Sequence, residues 1–283
     1  MKIKVEKAAG TGFCFGVKRT INILEKSAAD GPVETLRAVV HNKQVLQKLA
    51  DCGVTVTNTV EGIKGKRLAI GAHGVGPDVI KKINDGGITI IDTTCRSVHR
   101  AQQIAEKFSR DGFFIVVYGD AEHPEVKGIL SWADNKGIAT RDADAIAAIK
   151  PFPNRIGVLA QTTSVPQDFI AFVKDLFDKA FIKNSEIHVV DTICHDIRQR
   201  QNAAQKLAQR VDLMFVVGDR TSANTNRLAE LCSKLTKTHL IETADELKTT
   251  WLKGHKHIGV TGGASTAEET INEVVERLKS LSN

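Results

Sequence analysis

Short apolar runs with β character alternate along the chain with stretches that repeat apolar residues at helical spacing. The runs are residues 1–6, Leu36–Val40, Arg67–Ile70, Ile88–Ile91, Phe113–Val117, Arg155–Leu159, Ile187–Val190, Leu213–Val217 and Ile258–Val260. Helical patterns lie between them: over 18–28, from Lys43, from Pro77, from Ser97 to about Arg110, from Pro166, from Ile197 to about Arg210, and from the Gly263 loop to about Leu281. Strict alternation of this kind predicts an α/β protein with mainly parallel sheets. The pattern also repeats itself. Ile88–Ile91 ends in Asp92-Thr93-Thr94-Cys95, and Ile187–Val190 ends in Asp191-Thr192-Ile193-Cys194, each before a helix. A third cysteine, Cys14 in Gly12-Phe13-Cys14-Phe15-Gly16, opens a helix about eighty residues before Cys95. The expectation is three small parallel-sheet α/β units, 13–94, 95–193 and 194–283 (the last with the C-terminal helix), after an N-terminal strand within 1–12. A pseudo-threefold trefoil of such units, with no low-complexity linker between them, would bring the strand-end loops to one central cleft.

Composition narrows the class. Hydrophobic residues make up 42% of the 283 and charged residues 25%, enough apolar material for a sizeable core. No apolar run approaches the roughly 18 residues needed to cross a membrane, and the N-terminus lacks a signal peptide's apolar stretch, so a cytoplasmic location is expected. The formal charge of +6 suits an anionic small substrate or an acidic redox partner. Lys and Arg are dispersed, with one Tyr and two Trp, which argues against a nucleic-acid partner. Five cysteines, an odd number, argue against a disulfide framework and for metal binding or catalysis. Cys52 and Cys232 have no flanking motif and read as small apolar fillers.

Ligands of open α/β sheets bind beyond the carboxyl ends of the strands, where helix N-termini point their free N–H groups. Here those ends carry the three cysteines, His41-Asn42, Ala72-His73-Gly74, His123-Pro124-Glu125, Gln161-Thr162-Thr163, Ser222-Ala223-Asn224 and Gly263-Ala264-Ser265. Three thiolates from three repeats fit an iron–sulfur cluster with one iron left open for substrate better than they fit zinc, which prefers local pairs. Three unrelated buried thiols are the plain alternative. The hydroxyls, amides and imidazoles suit an anion with several oxygens. Neither a P-loop nor a G-x-G-x-x-G spacing is present, although Gly71-Ala72-His73-Gly74-Val75-Gly76 is glycine-rich. Glu125, beside His123 at a helix start, is the best candidate for a proton donor. His99, His188, His195, His239, His255 and His257 lie in helix, strand or tail patterns and read as structural.

Taken together and in order, these motifs resemble the LytB family over nearly the whole chain. The resemblance implies the activity of a 4-hydroxy-3-methylbut-2-enyl diphosphate reductase, the last step of the methylerythritol phosphate route to isoprenoids. It implies a 4Fe–4S cluster on Cys14, Cys95 and Cys194, with Glu125 supplying protons and His123 and Thr162 beside it. The positions implied for the allylic diphosphate are His41, His73, His123, Thr162, Ser222, Ala223, Asn224 and Ser265. Ferredoxin or flavodoxin is implied as electron donor. The sequence departs from the family's pattern at Ala223, where Ser is frequent, at Arg96-Ser97, and at His195-Asp196-Ile197. A cluster-bearing diphosphate lyase or hydratase, and an iron–sulfur or zinc sensor, are the alternatives.

Overall fold

Twelve short strands form three sheets, each of four parallel strands, in this computed structural model, which describes residues 3–40, 42–181 and 186–281. After β1 (Lys4–Lys7) come β2 (Val33–Leu36), β3 (Val54–Thr57), β4 (Arg67–Ile70) and β5 (Thr89–Asp92), which pair in the order β3-β2-β4-β5. The next four are β6 (Phe114–Tyr118), β7 (Gly137–Thr140), β8 (Arg155–Ala160) and β9 (Glu186–Val189), in the order β7-β6-β8-β9. The last three, β10 (Leu213–Val217), β11 (Thr238–Ile241) and β12 (His257–Gly262), pair as β11-β10-β12. The fourth place beside β12 is taken by β1, with Lys4 opposite His257 and Lys7 opposite Val260. The N-terminal strand is therefore no separate appendage; it completes the third copy of one design.

By its internal contacts the chain divides into two compact units. One comprises Met1–Lys18, Val40–Leu46 and His195–Asn283 and holds the β1-β12-β10-β11 sheet; the other comprises Arg19–Val39 and Gln47–Cys194 and holds the other two. The central strands β6, β8 and β10 are covered on both faces, as parallel strands require, and so read as nearly unbroken apolar runs. In β10, Leu213, Phe215 and Val217 pack with Ile258, Ile271, Val274 and Leu278. Its other face, Met214 and Val216, packs with Leu207, Leu228 and Cys232. Among the described residues no helix is long and apolar enough to cross a membrane.

Three differences from the sequence reading have plain causes. The run Leu36–Val40 is not a strand: β2 spans Val33–Leu36 and stops because Arg37 takes a left-handed φ of 67°. Val39 and Val40 are buried in the loop that follows, which explains their apolar character. Three strands escaped the pattern, β3, β7 and β11, all of four residues, at sheet edges and largely half-exposed, where only one side needs a partner. Helices at Phe15–Ala29, Arg96–Arg110 and His195–Ala208 begin one to three residues before the expected starts at Lys18, Ser97 and Ile197. Each starts directly after a cysteine, which is not a preferred capping residue and so gives no start signal.

Candidate active site at the strand ends

In each sheet the strand order reverses between the first and third strands of the set: β2 and β4, β6 and β8, β10 and β12. The polar motifs follow these switch-point strands, and each cysteine follows the strand in the fourth place. One hydrogen bond recurs three times. Cys95 N–H donates to Ala72 O at 3.0 Å, Cys194 N–H to Thr162 O at 2.9 Å, and Cys14 N–H to Ala264 O at 2.9 Å. Each acceptor sits in the loop after the third strand of that set, so the backbone of each cysteine is tied to its sheet's switch-point loop. In two copies the turn is built the same way. Asp92 Oδ1 accepts from Thr94 N–H at 2.8 Å and Asp191 Oδ1 from Ile193 N–H at 3.0 Å. The Thr93 hydroxyl donates to Ile70 O at 2.6 Å, and the Thr192 hydroxyl to Ala160 O. These are the last residues of β4 and β8.

None of the five cysteines is in a disulfide. Cys14, Cys95 and Cys194 are half-buried. Burial pushes the Cys95 thiol above its ordinary value; Ser97 and Val98 amides at the helix start pull it back, while Cys194 and Glu125 add to the rise. A thiolate at Cys95 thus calls for a neighbouring cation. Among the described residues no three His, Cys, Asp or Glu side chains are grouped to hold a single metal ion. A cuboidal cluster places its thiolates on different irons, so its ligands need not crowd one ion, and three half-buried cysteines outside any disulfide fit that donor set. Cys232 is the core filler expected, its thiol pushed up to about 12 by burial. Cys52, by contrast, is exposed after the helix Lys43–Asp51 and fills nothing.

Glu125 is the most unusual group in its unit. Only 1% of its surface is exposed, although it carries a carboxyl. Its two oxygens are both held by Thr162: Oε1 accepts the Thr162 N–H at 2.6 Å and Oε2 the Thr162 hydroxyl at 2.8 Å. Burial raises its pKa to about 7, against the pull of those two bonds. Its backbone N–H donates to Nδ1 of His123, the residue that caps the helix Pro124–Trp132, at 3.2 Å. With Nδ1 accepting, a neutral His123 carries its proton on Nε2 and can donate there. The His73 and His123 rings meet edge to face with centroids 5.1 Å apart. That meeting depends on close approach of their loops. A Cβ on Gly76 would lie 2.1 Å from Ser131 Oγ, and Trp132 Nε1 donates to Val75 O at 2.9 Å.

In the other unit, Ser222 caps the helix Ala223–Ser233 by accepting the Thr225 N–H at 3.4 Å. Asn224 is buried in the first turn, and its Nδ2 has no partner among the described residues. A buried amide donor left unpaired costs about 1–3 kcal/mol, which a bound anion would recover. Ala223 has no polar side chain and can offer only its backbone amide. Ser265 is buried, and its carbonyl accepts from Asn42 Nδ2 at 3.3 Å. Asn42 Oδ1 also accepts the Val45 N–H at 3.0 Å, capping its helix and tying two motif loops together. His41 lies outside the described residues. Asn42, expected only as part of the His41-Asn42 motif, thus serves as a loop tie, and one contributor was not singled out in the sequence: Arg200, a buried arginine on the helix after Cys194. The signal for Arg200 was its spacing of four from Asp196, one face of a helix.

Comparison with known proteins places the chain. A family model described as LytB protein matches residues 5–279. A protein of Dehalococcoides mccartyi strain CBDB1 named 4-hydroxy-3-methylbut-2-enyl diphosphate reductase is 53% identical over 281 residues, 99% of each chain. A protein of the same name from Geobacter sulfurreducens is 40% identical over 285 residues, 100% of this chain and 99% of its own. A solved (E)-4-hydroxy-3-methyl-but-2-enyl diphosphate reductase, described as the terminal enzyme of the non-mevalonate pathway, matches with a TM-score of 0.70 at 33% identity, over 98% of this chain and 99% of its own. The solved E-1-hydroxy-2-methyl-but-2-enyl-4-diphosphate reductase of Plasmodium falciparum shares the fold, with a TM-score of 0.90 at 24% identity, over 98% of this chain and 88% of its own.

Proposed function

The chain belongs to the LytB family, and we propose on that footing that it reduces (E)-4-hydroxy-3-methylbut-2-enyl diphosphate to isopentenyl and dimethylallyl diphosphates. The reaction breaks the allylic C–O bond, consumes two electrons and two protons, and releases water. Cys14, Cys95 and Cys194 would hold a 4Fe–4S cluster. Bound there, the cluster would supply the electrons one at a time and a Lewis-acidic iron for the substrate hydroxyl.

The remaining roles fall to the chain's own side chains. Glu125 is the proton donor. A carboxyl with a pKa of about 7 keeps a proton near neutral pH and can still release it, the match that general-acid catalysis needs. Thr162 holds both carboxyl oxygens and so fixes which way the proton faces. His123 donates from Nε2 to a diphosphate oxygen, with His41 and His73 as further donors. Asn224 offers the unpaired Nδ2, Ser222 and Ser265 their hydroxyls, and Ala223 its amide. An acidic ferredoxin or flavodoxin supplies the electrons to a chain of net charge +6.

The observation that carries this reading is the buried Glu125–Thr162 pair among motifs that run in family order. Anaerobic incubation of the iron-replete protein with the allylic diphosphate and a reduced dye tests it: consumption with release of both isomers is expected. An iron-replete protein that leaves the substrate untouched would favour a lyase or a sensor.

A further inference from the structure

The third copy of the cysteine turn lacks the residue that builds the other two. Thr93 and Thr192 each stand two residues before their cysteine, and each ties the turn to the last carbonyl of the third strand in its set. At the corresponding place before Cys14 stands Gly12. A threonine is barred there on two counts: φ is +80°, and a Cβ would lie 2.8 Å from Glu268 Oε2 and 3.2 Å from Glu268 Cβ. The equivalent bond is nevertheless made. Arg200 Nη1 donates to the carbonyl of Gly262, the last residue of β12, at 3.0 Å, and Nη2 donates to Gly12 O at 2.7 Å. One guanidinium thus bridges the strand end and the Cys14 loop, as the threonine hydroxyls do elsewhere.

Asp196, one turn earlier on the same helix, grips the loop on the other side of the cysteine: its Oδ2 accepts the Phe15 N–H at 3.1 Å. Cys14 lies between the two clamped points. Arg200 is buried, 5% exposed, and its Nε–H has no partner among the described residues. Cys14, Asp196 and Arg200 line one cavity of about 470 Å³. A buried guanidinium beside the cavity of a half-buried thiol is a fixed charge near whatever that thiol binds.

We propose that Arg200 is the positioning residue of Cys14, replacing from a neighbouring helix the strand-end bond of the missing threonine, and that with Asp196 it sets the charge felt by the group Cys14 holds. Burial lowers the pKa of the guanidinium, and Cys14, Asp196 and Glu268 work against that, in keeping with a charge held in this cavity. Positive charge and donors near cluster sulfurs raise a reduction potential, and negative charge lowers it. The inference rests on the cluster assignment made above.

The test is a redox titration of anaerobically reconstituted protein, followed by the magnetic resonance signal of the reduced centre. Arg200→Lys keeps the charge but puts one nitrogen in place of the fork whose two nitrogens each hold a carbonyl, and it loses the Nε–H. It is expected to lower the reduced-to-oxidised ratio at fixed potential about tenfold, a shift of about 59 mV for one electron. Asp196→Asn keeps the shape, removes a negative charge, and is expected to shift the potential the opposite way. Arg200→Lys that holds no iron while Asp196→Asn does still upholds the positioning role, and the upward shift of Asp196→Asn then carries the electrostatic part. An unchanged potential in Arg200→Lys, or shifts of the same sign in both variants, overturns the proposal. Failure of the wild-type protein to take up iron and sulfide would instead overturn the cluster assignment beneath it.

Discussion

Replacing Glu125 by glutamine separates the acid from its shape. The glutamine side chain can keep both contacts: its oxygen accepts the Thr162 N–H, and its amide donates to a Thr162 hydroxyl that turns round to receive it. What disappears is the titration. In the folded protein the Glu125 carboxyl has a pKa of about 7, above its ordinary 4.5. A raised folded-state pKa means that the folded protein holds the proton more tightly than the unfolded chain. Its contribution is therefore fully present below about pH 4.5 and is lost as pH rises through about 7. The loss is about 3 kcal/mol across that window, at ~1.4 kcal/mol per unit. Urea unfolding of the metal-free protein and of Glu125→Gln, at pH values near 5 and near 8, reads it directly. The variant should gain about 2–3 kcal/mol relative to wild type between those two conditions. An equal difference at both would mean that Glu125 is already a carboxylate in the folded protein, and the proton-donor argument would fail. Turnover follows the same sign: the wild-type rate should fall as pH rises through about 7, and Glu125→Gln should bind the diphosphate yet lose about 10²–10⁴-fold in rate.

Other residues give sharper contrasts. Cys14→Ser, Cys95→Ser and Cys194→Ser should each lose iron and turnover, measured by iron content and anaerobic assay. Cys52→Ser should change neither, while Cys232→Ser, which puts a hydroxyl into an apolar core, should cost about 1–3 kcal/mol in urea unfolding and leave activity intact. Asn224→Ala removes a donor that has no partner among the described residues, so stability should hold or rise while KM for the diphosphate rises about tenfold or more. Gly76→Ala forces Ser131 away from the His73 loop and should lower stability by about 1–3 kcal/mol and raise KM, seen in thermal unfolding and steady-state kinetics.

How far the sequence led depended on what each residue had to satisfy. Leu213–Val217 was legible as a strand because both of its faces are buried, which leaves an unbroken apolar run. Thr238–Ile241 was not, because an edge strand needs only one side and tolerates Thr and His. The Asp-Thr-x-Cys turns announced themselves, since Asp and Thr there bond to their own neighbourhood. The third turn hid its equivalent bond, because its donor lies 188 positions away on Arg200, beyond the reach of any local pattern. The candidate proton donor stood out by its place beside His123, and the resemblance put Thr162 beside it, but nothing in His123-Pro124-Glu125 announces that the carboxyl is buried. The place of β1 beside β12 likewise joins the two ends of the chain, which no local pattern carries.

The account stands most directly on one measurement: iron, acid-labile sulfide and product formation determined together on protein purified without oxygen. It predicts about four irons and four sulfides per chain, with conversion of the allylic diphosphate to isopentenyl and dimethylallyl diphosphates under a reduced dye. A colourless protein with a single zinc, no sulfide and no conversion would contradict it.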